Sequence, residues 1–430
     1  MQLNIEKLIY GGDALGHLPA DSNGRGKAVF VPFAIDGEEV EATLIEQKPG
    51  FSRAQLERVT RPSPDRVQPG CPYFFECGGC QYQHASYEHQ LRAKAAILLE
   101  TLRRTAKIEL ACELQAHRSP EWNYRNRTRL KIQTRPEFAL GYYRFRSHQL
   151  LPIEQCPISS PLINAAIHQL WATGRSAQLP AEAREIEMFA DAADTRLLIE
   201  LFCDRSISRA DAKNAAESML QSLQNVIGVG IFAQIPENQL SEPQLLASTG
   251  SPQMQYETKM ANYRVSAGAF FQVNRFLIDE LVDIVTRGAS GELALDLYAG
   301  VGLFATVLAR SFAQVIAVEA SQTSHGDLRH NAPQEVKAVL ATTEQYLGQA
   351  SGVHPDLVVV DPPRGGLGES VIRGLANLES SRLIYVSCDP STLARDLRQL
   401  SGLGYRIDEA HLLDLFPQTF HIESVFQLAR

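Results

Sequence analysis

No apolar run among the 430 residues approaches the roughly 20 positions that a membrane-spanning helix needs, which excludes anchoring by such helices. The opening stretch MQLNIEKLIYGG lacks the apolar centre of a signal peptide. A cytoplasmic protein with no membrane partner is therefore expected. Repeats and low-complexity tracts are also missing, which leaves ordinary folded domains. An excess of positive charge is lacking too: 41 Lys and Arg stand against 49 Asp and Glu, and the net charge of −8 argues at first against a nucleic-acid partner. What remains is a common globular composition, 44% hydrophobic and 21% charged. The length exceeds what one core usually organises, so two or three domains are expected, as a monomer.

The charge is uneven. Residues 85–150 hold 13 Lys and Arg against 6 Asp and Glu, a net +7 that leaves −15 elsewhere. One basic face on an acidic protein still attracts phosphates locally. The seven cysteines are an odd number, and Cys71, Cys77, Cys80 and Cys156 form a group apart from Cys112, Cys203 and Cys388. In a reducing compartment this pattern favours metal binding or catalysis over disulfides.

Along the first 62 residues, short β-type runs (KAVFVPFAI, EEVEATLIEQ, AQLERVT) alternate with turns at Gly11-Gly12-Asp13 and Asp36-Gly37. That pattern predicts a small barrel of antiparallel strands. The segment RPSPDRVQPG links it to the cysteines, and residues 84–107 carry helical periodicity. Mixed strands and helices, an α+β pattern, continue to about residue 260. From Glu292 the runs LALDL, VIAVE, DLVVVD and RLIYVS, separated by helix-length segments and followed by ESVFQLA, predict an α/β domain over 261–430 with a parallel sheet covered on both faces.

Asp296-Leu-Tyr298-Ala-Gly300-Val-Gly302 places two glycines directly after a buried strand, and Glu319 ends the next strand, where a carboxylate accepts both hydroxyls of a ribose. The third glycine and phosphate-binding helix start of a dinucleotide site are absent. A nucleoside cofactor without phosphate, S-adenosylmethionine, fits this pattern. Asp361-Pro362-Pro363-Arg364 and Ser387-Cys388-Asp389-Pro390 follow two further strands, so three motifs converge on one sheet edge. Asp-Pro-Pro alone suits methylation of an exocyclic amine. A cysteine on the adjacent strand end suits carbon 5 of a pyrimidine, where a thiolate must first add to carbon 6. Glu423, opening the last strand, is then available to remove the carbon 5 proton. A non-catalytic RNA-binding or iron-sulfur protein is the reading from another class.

These motifs together resemble the RNA 5-methyluridine methyltransferases, over almost the whole chain and in order. The resemblance adds Phe270-Phe271-Gln272-Val273-Asn274 and the terminal His421-x-Glu423. It implies a TRAM-like (OB-like) barrel at 1–62, a central iron-sulfur domain at 63–260 and a Rossmann-like S-adenosylmethionine methyltransferase domain at 261–430. By the same likeness Cys388 is the nucleophile, Glu423 the base and Asp361 a contact to the uracil edge. Phe270 is an aromatic surface for the target base, and Gln272, Tyr298, Gly300, Glu319 and Asp361 hold the cofactor. Cys71, Cys77, Cys80 and Cys156 resemble the ligands of a [4Fe-4S] cluster, with zinc open from spacing alone. The RNA partner implied is 23S ribosomal RNA, with transfer RNA as the alternative. Asp389 stands where the family often has Asn, and a carboxylate there disfavours the thiolate unless it points away or is otherwise bonded. Around Ala341–Glu344, where an acid commonly meets the adenine, no residue is assigned.

Overall fold

Leu3, Ile5 and Leu8 turn inward from β1 (Gln2–Leu8) while the residues between them face outward, and the same alternation recurs in its neighbours. With β2 (Asp13–His17), β3 (Ala28–Pro32), β4 (Glu39–Gln47) and β5 (Phe51–Arg61) it closes a barrel in the order β1-β2-β3-β5-β4. The barrel is not wholly antiparallel, as the pattern suggested. Five strands cannot alternate in direction around a closed ring, and β3 runs parallel to β5. The computed structural model describes residues 1–19, 26–176, 179–234 and 243–430.

The helix expected over 84–107 begins at Tyr87, where the Ser86 hydroxyl accepts the His89 N–H, and runs to Thr101 before a π-helical turn at Leu102–Ala106. It is tied to the C-terminal region by Lys94, buried to 1% exposure, whose Nζ donates to Asp414 Oδ1 at 2.6 Å and to the Phe416 carbonyl at 2.9 Å. A seven-stranded sheet then forms from residues 127–250. Its only parallel pair among the described residues, Leu197–Cys203 with Val226–Ala233, is joined by the crossover helix Arg209–Ser222.

The second large sheet has eight strands. Val336–Leu340, Phe312–Glu319, Gly291–Leu297, Leu357–Val360 and Arg382–Ser387 lie side by side and parallel. Glu423–Ala429 inserts antiparallel between Arg382–Ser387 and Arg406–Leu413. The outermost strand, Leu114–His117, comes from the middle of the chain and pairs parallel with Arg406–Leu413. Leu357–Val360 is buried at every position, as a strand covered on both faces must be. One face shares its core with the barrel and the helix Tyr87–Thr101; the other packs on the helix Ile278–Thr286 and the hairpin Gln253–Glu257/Asn262–Ser266. Among the described residues no helix is long and apolar enough to cross a membrane.

Candidate active site

Pairing register decides which residues meet. Leu297 lies beside Val318 on one side and Val360 on the other. The next residues, Tyr298, Glu319 and Asp361, therefore leave three adjacent strands at one edge, where open α/β sheets bind ligands. In the antiparallel pair that follows, Ser387 faces Ser424. The rung beyond sets Cys388 across from Glu423 at that same edge.

The loop after Leu297 turns through positive φ at Tyr298 (+65°), Gly300 (+55°) and Gly302 (+92°). Burial pushes the Tyr298 phenol up to about 12, with Thr343 beside it pulling the other way. A Cβ on Gly302 would stand 2.8 Å from Leu328 Cδ1, whereas nothing lies within 4 Å of a Cβ on Gly300. The loop thus leaves room for a ligand against its backbone. Glu319 takes the Gly300 N–H on Oε2 at 2.8 Å and the Ser321 N–H on Oε1 at 2.7 Å. A carboxylate has further lone pairs, which remain for hydroxyl donors. Asp296 is fully buried, and burial raises it to about 8; Oδ2 accepts the Ala305 N–H at 2.9 Å, and Oδ1 meets no donor among the described residues. Open backbone and free carboxylate lone pairs fit a nucleoside sulfonium cofactor.

Burial is the largest influence on the half-buried Cys388 thiol and pushes it up to about 12. The carboxyls of Glu423 and Asp361 push the same way, Arg364 opposes them, and Asp389 adds a smaller push. Burial and then Asp361 hold Glu423 well above the ordinary carboxylate range, again opposed by Arg364. Burial raises Asp361 itself to about 7. Three acids and one guanidinium thus share a partly dry site, and such acids do not all ionise together. The resting thiol keeps its proton at neutral pH. Arg364 Nη2 lies 3.3 Å from Nδ1 of His421, which burial and then Arg364 push down to about 4, so the neutral imidazole accepts.

Asp389 is bonded away from the sulfur. As N-cap of the helix Pro390–Gly402 its Oδ1 accepts the N–H groups of Ser391 (2.9 Å) and Thr392 (3.1 Å), and Oδ2 accepts the Tyr10 hydroxyl at 3.0 Å. Residues 268–274 cross between the two sheets: Asn126 Nδ2 donates to the Gln272 carbonyl at 3.1 Å, and Asn274 Nδ2 donates to Ser119 Oγ at 2.9 Å and to the Leu415 carbonyl at 3.0 Å. Phe270 on this segment is 63% exposed, whereas Phe271 is buried against Tyr256 and Tyr263.

Cys71, Cys77, Cys80 and Cys156 line one cavity together with Arg125 and Tyr142. Burial, and after it the Cys156 sulfur, push up the thiols of Cys71, Cys77 (to about 11) and Cys80. Thiols so placed lose protons only against positive charge, the condition a bound metal group supplies. Burial disfavours charge on Arg125, yet beside Tyr124, Tyr142, Cys156 and Cys80 its pKa stays raised. These residues fit a thiolate-ligated group, although among the described residues no set of three or more His, Cys, Asp or Glu is positioned to hold a metal ion as it stands. The fold by itself therefore does not show the expected iron-sulfur site.

A family model described as tRNA (Uracil-5-)-methyltransferase matches residues 86–345 and 351–430. The chain belongs to this family of RNA methyltransferases. It is 33% identical to an uncharacterised RNA methyltransferase of Aquifex aeolicus over 99% of this chain and 97% of that one. It is 30% identical to the 23S rRNA (uracil(1939)-C(5))-methyltransferase RlmD of Pseudomonas putida, over 99% and 92%. The crystal structure of the Pyrococcus abyssi tRNA (uracil-54, C5)-methyltransferase in complex with S-adenosyl-L-homocysteine aligns over 100% of both chains with TM-score 0.77 and 24% identity, and so shares the fold.

Within this family fold, the residues singled out from sequence fall in three places. Tyr298, Gly300, Glu319, Asp361, Cys388 and Glu423 gather at the sheet edge, Phe270 and Gln272 stand on the crossing segment, and the four cysteines line a separate cavity. Sequence reasoning missed Tyr10, which touches Asp389 from the barrel, and left Arg364 without a role. The Gly11-Gly12 turn beside Tyr10 was the only local signal, and it marks a turn rather than a destination. Thr343, in the stretch left unassigned, lies beside Tyr298.

Proposed function

We propose that the chain methylates carbon 5 of a uridine in 23S ribosomal RNA, with Cys388 as transient nucleophile and Glu423 as base. The observation that carries this reading is the rung beyond Ser387 and Ser424, where thiol and carboxyl stand across from one another beside the glycine loop.

Carbon 5 of uracil is too weak a nucleophile to react unaided. The Cys388 thiol gives up its proton to solvent water and the sulfur bonds to carbon 6, which moves the ring double-bond electrons to carbon 5 and oxygen 4. Arg364, which favours charge on both Cys388 and Glu423, offsets the negative charge that develops. S-adenosylmethionine, when held by Gln272, Tyr298, Gly300, Glu319 and Asp361, supplies the methyl group that carbon 5 takes. Glu423 then accepts the proton from carbon 5, the electron pair restores the double bond, and the sulfur leaves carbon 6. Phe270 offers an exposed ring to a base turned out of its stack, and Asp361 faces the uracil edge.

The four cysteines are proposed to hold a [4Fe-4S] cluster with a structural or RNA-contacting role, and the chain to divide into regions 1–62, 63–260 and 261–430. The identity to the Pseudomonas putida enzyme supports ribosomal RNA; the family description supports transfer RNA as the second reading. Mass-spectrometric mapping of 5-methyluridine in both RNAs from a cytoplasmic extract of a strain lacking this chain tests the target. Loss of one 23S site is expected. Loss confined to transfer RNA favours the second reading, and no loss refutes both.

A further inference from the structure

Tyr10 belongs to the tight turn that follows β1, where the Ile9 N–H donates to the Asp13 carbonyl at 2.9 Å and the Gly12 N–H to the Ile9 carbonyl at 3.2 Å. The turn carries the barrel into the reaction centre. The Tyr10 ring meets Phe420 edge-on, with centroids 5.6 Å apart at 83°, and the hydroxyl donates to Asp389 Oδ2 at 3.0 Å. Gly12 in the same turn packs so closely on Gln81 that a Cβ would stand 2.7 Å from its Cγ, so the turn has little freedom to move.

Asp389 is the one charged neighbour of Cys388 in sequence, and its carboxylate needs neutralising if the sulfur beside it is to ionise. We propose that Tyr10 is a positioning residue for the reaction: its hydroxyl, together with the Ser391 and Thr392 N–H groups, holds the Asp389 carboxylate at the helix start and weakens the repulsion it exerts on the Cys388 sulfur. The claim rests on Cys388 being the nucleophile. Three donors, one of them from the barrel, satisfy both oxygens of the carboxylate, and two of them are the positive end of the helix Pro390–Gly402. Without the phenol, Oδ2 loses the hydrogen bond that reaches it from the barrel and the carboxylate carries its charge less diluted. The charged groups that face the sulfur are Glu423, Asp361 and Asp389, which oppose its ionisation, and Arg364, which favours it. The charged groups that face the Tyr10 hydroxyl are Asp389 and Arg364, with the titratable Cys388 thiol beside them. The barrel thereby joins the chemistry through one hydroxyl, so a barrel out of place would leave the thiol less reactive.

The test is the alkylation rate of Cys388 by iodoacetamide across pH, read by peptide-resolved mass spectrometry in the wild type, Tyr10→Phe, Asp389→Asn and the double variant. Cys203, wholly buried in the central sheet, reports folding by staying unreactive in each. Tyr10→Phe is expected to slow Cys388 alkylation at neutral pH about threefold to tenfold and to shift its midpoint upward, Asp389→Asn to speed it, and Tyr10→Phe to have no effect once Asp389 is replaced. An unchanged profile in folded Tyr10→Phe, or a slowing that persists in the Asp389→Asn background, overturns the proposal. Methyl transfer by Cys388→Ala is measured in parallel. Turnover there removes the nucleophile reading, whereas inactivity there with an unchanged Tyr10→Phe profile removes the positioning claim alone.

Discussion

The carbonyl of Gln418 accepts the backbone N–H of Gln81 at 3.0 Å and that of Tyr82 at 2.9 Å, while Gln418 itself sits at φ +68°. Gln81 directly follows Cys80, and Gln418 precedes Glu423 by five residues. Gln90 closes the junction: its Nε2 donates to Gln418 Oε1 at 3.0 Å and its Oε1 accepts the Gln418 N–H at 2.9 Å. The loop bearing three of the cysteines and the loop leading to the proposed base are therefore one hydrogen-bonded unit.

If the cysteines hold a metal group, losing it must loosen both loops. Cys80→Ser is expected to lower the melting temperature by several degrees, on the order of 1–3 kcal/mol, and to speed amide exchange over residues 414–421. Hydrogen-exchange mass spectrometry decides this: unchanged protection there, with the metal group gone, removes the coupling.

Glu423→Gln keeps the shape of the site and removes its base. Addition and methylation then proceed while elimination stalls, so a protein-RNA adduct should accumulate and migrate slowly on a denaturing gel. Free protein and methylated RNA in normal yield would take Glu423 out of the role.

Arg364 favours the ionised forms of both Cys388 and Glu423, so its removal raises both. The thiolate exists only above the thiol's pKa. In Arg364→Gln the rising limb of kcat/KM against pH should therefore move to higher pH by about one unit, with about tenfold loss at neutral pH that is regained as pH rises. A loss equal at every pH would assign Arg364 to RNA binding alone.

The two loop glycines should fail differently. Gly302→Ala meets Leu328 at 2.8 Å in a left-handed backbone, and about 1–3 kcal/mol of stability should be lost. Gly300→Ala meets nothing, so its stability cost should stay near 1 kcal/mol while S-adenosylmethionine binding by calorimetry weakens at least as much as in Gly302→Ala. Equal stability losses with intact cofactor binding in Gly300→Ala would remove the cradle reading.

The strand ends were legible because Leu293–Leu297, Val315–Val318, Leu357–Val360 and Leu383–Val386 are largely buried and so leave nearly continuous apolar runs, three of them followed within three residues by glycine, proline or cysteine and the fourth by Glu319. The place of Leu114–His117 was not, since its partner Arg406–Leu413 lies almost 300 residues away and neither strand's pattern encodes the other. The barrel's parallel pair follows from the odd number of strands in a closed ring, which counting runs alone does not reveal. Asp389 appeared in the sequence as a departure that should hinder Cys388; only the fold brings Tyr10, 379 positions away, to bond it.

The central claim is that the sulfur at 388 becomes bonded to the uridine ring. Methyl transfer by purified Cys388→Ala to RNA stripped of 5-methyluridine measures it most directly. A rate at least about 10⁴-fold below wild type, with S-adenosylmethionine and RNA still bound, is the result expected. Carbon 5 methylation at the wild-type rate would contradict it.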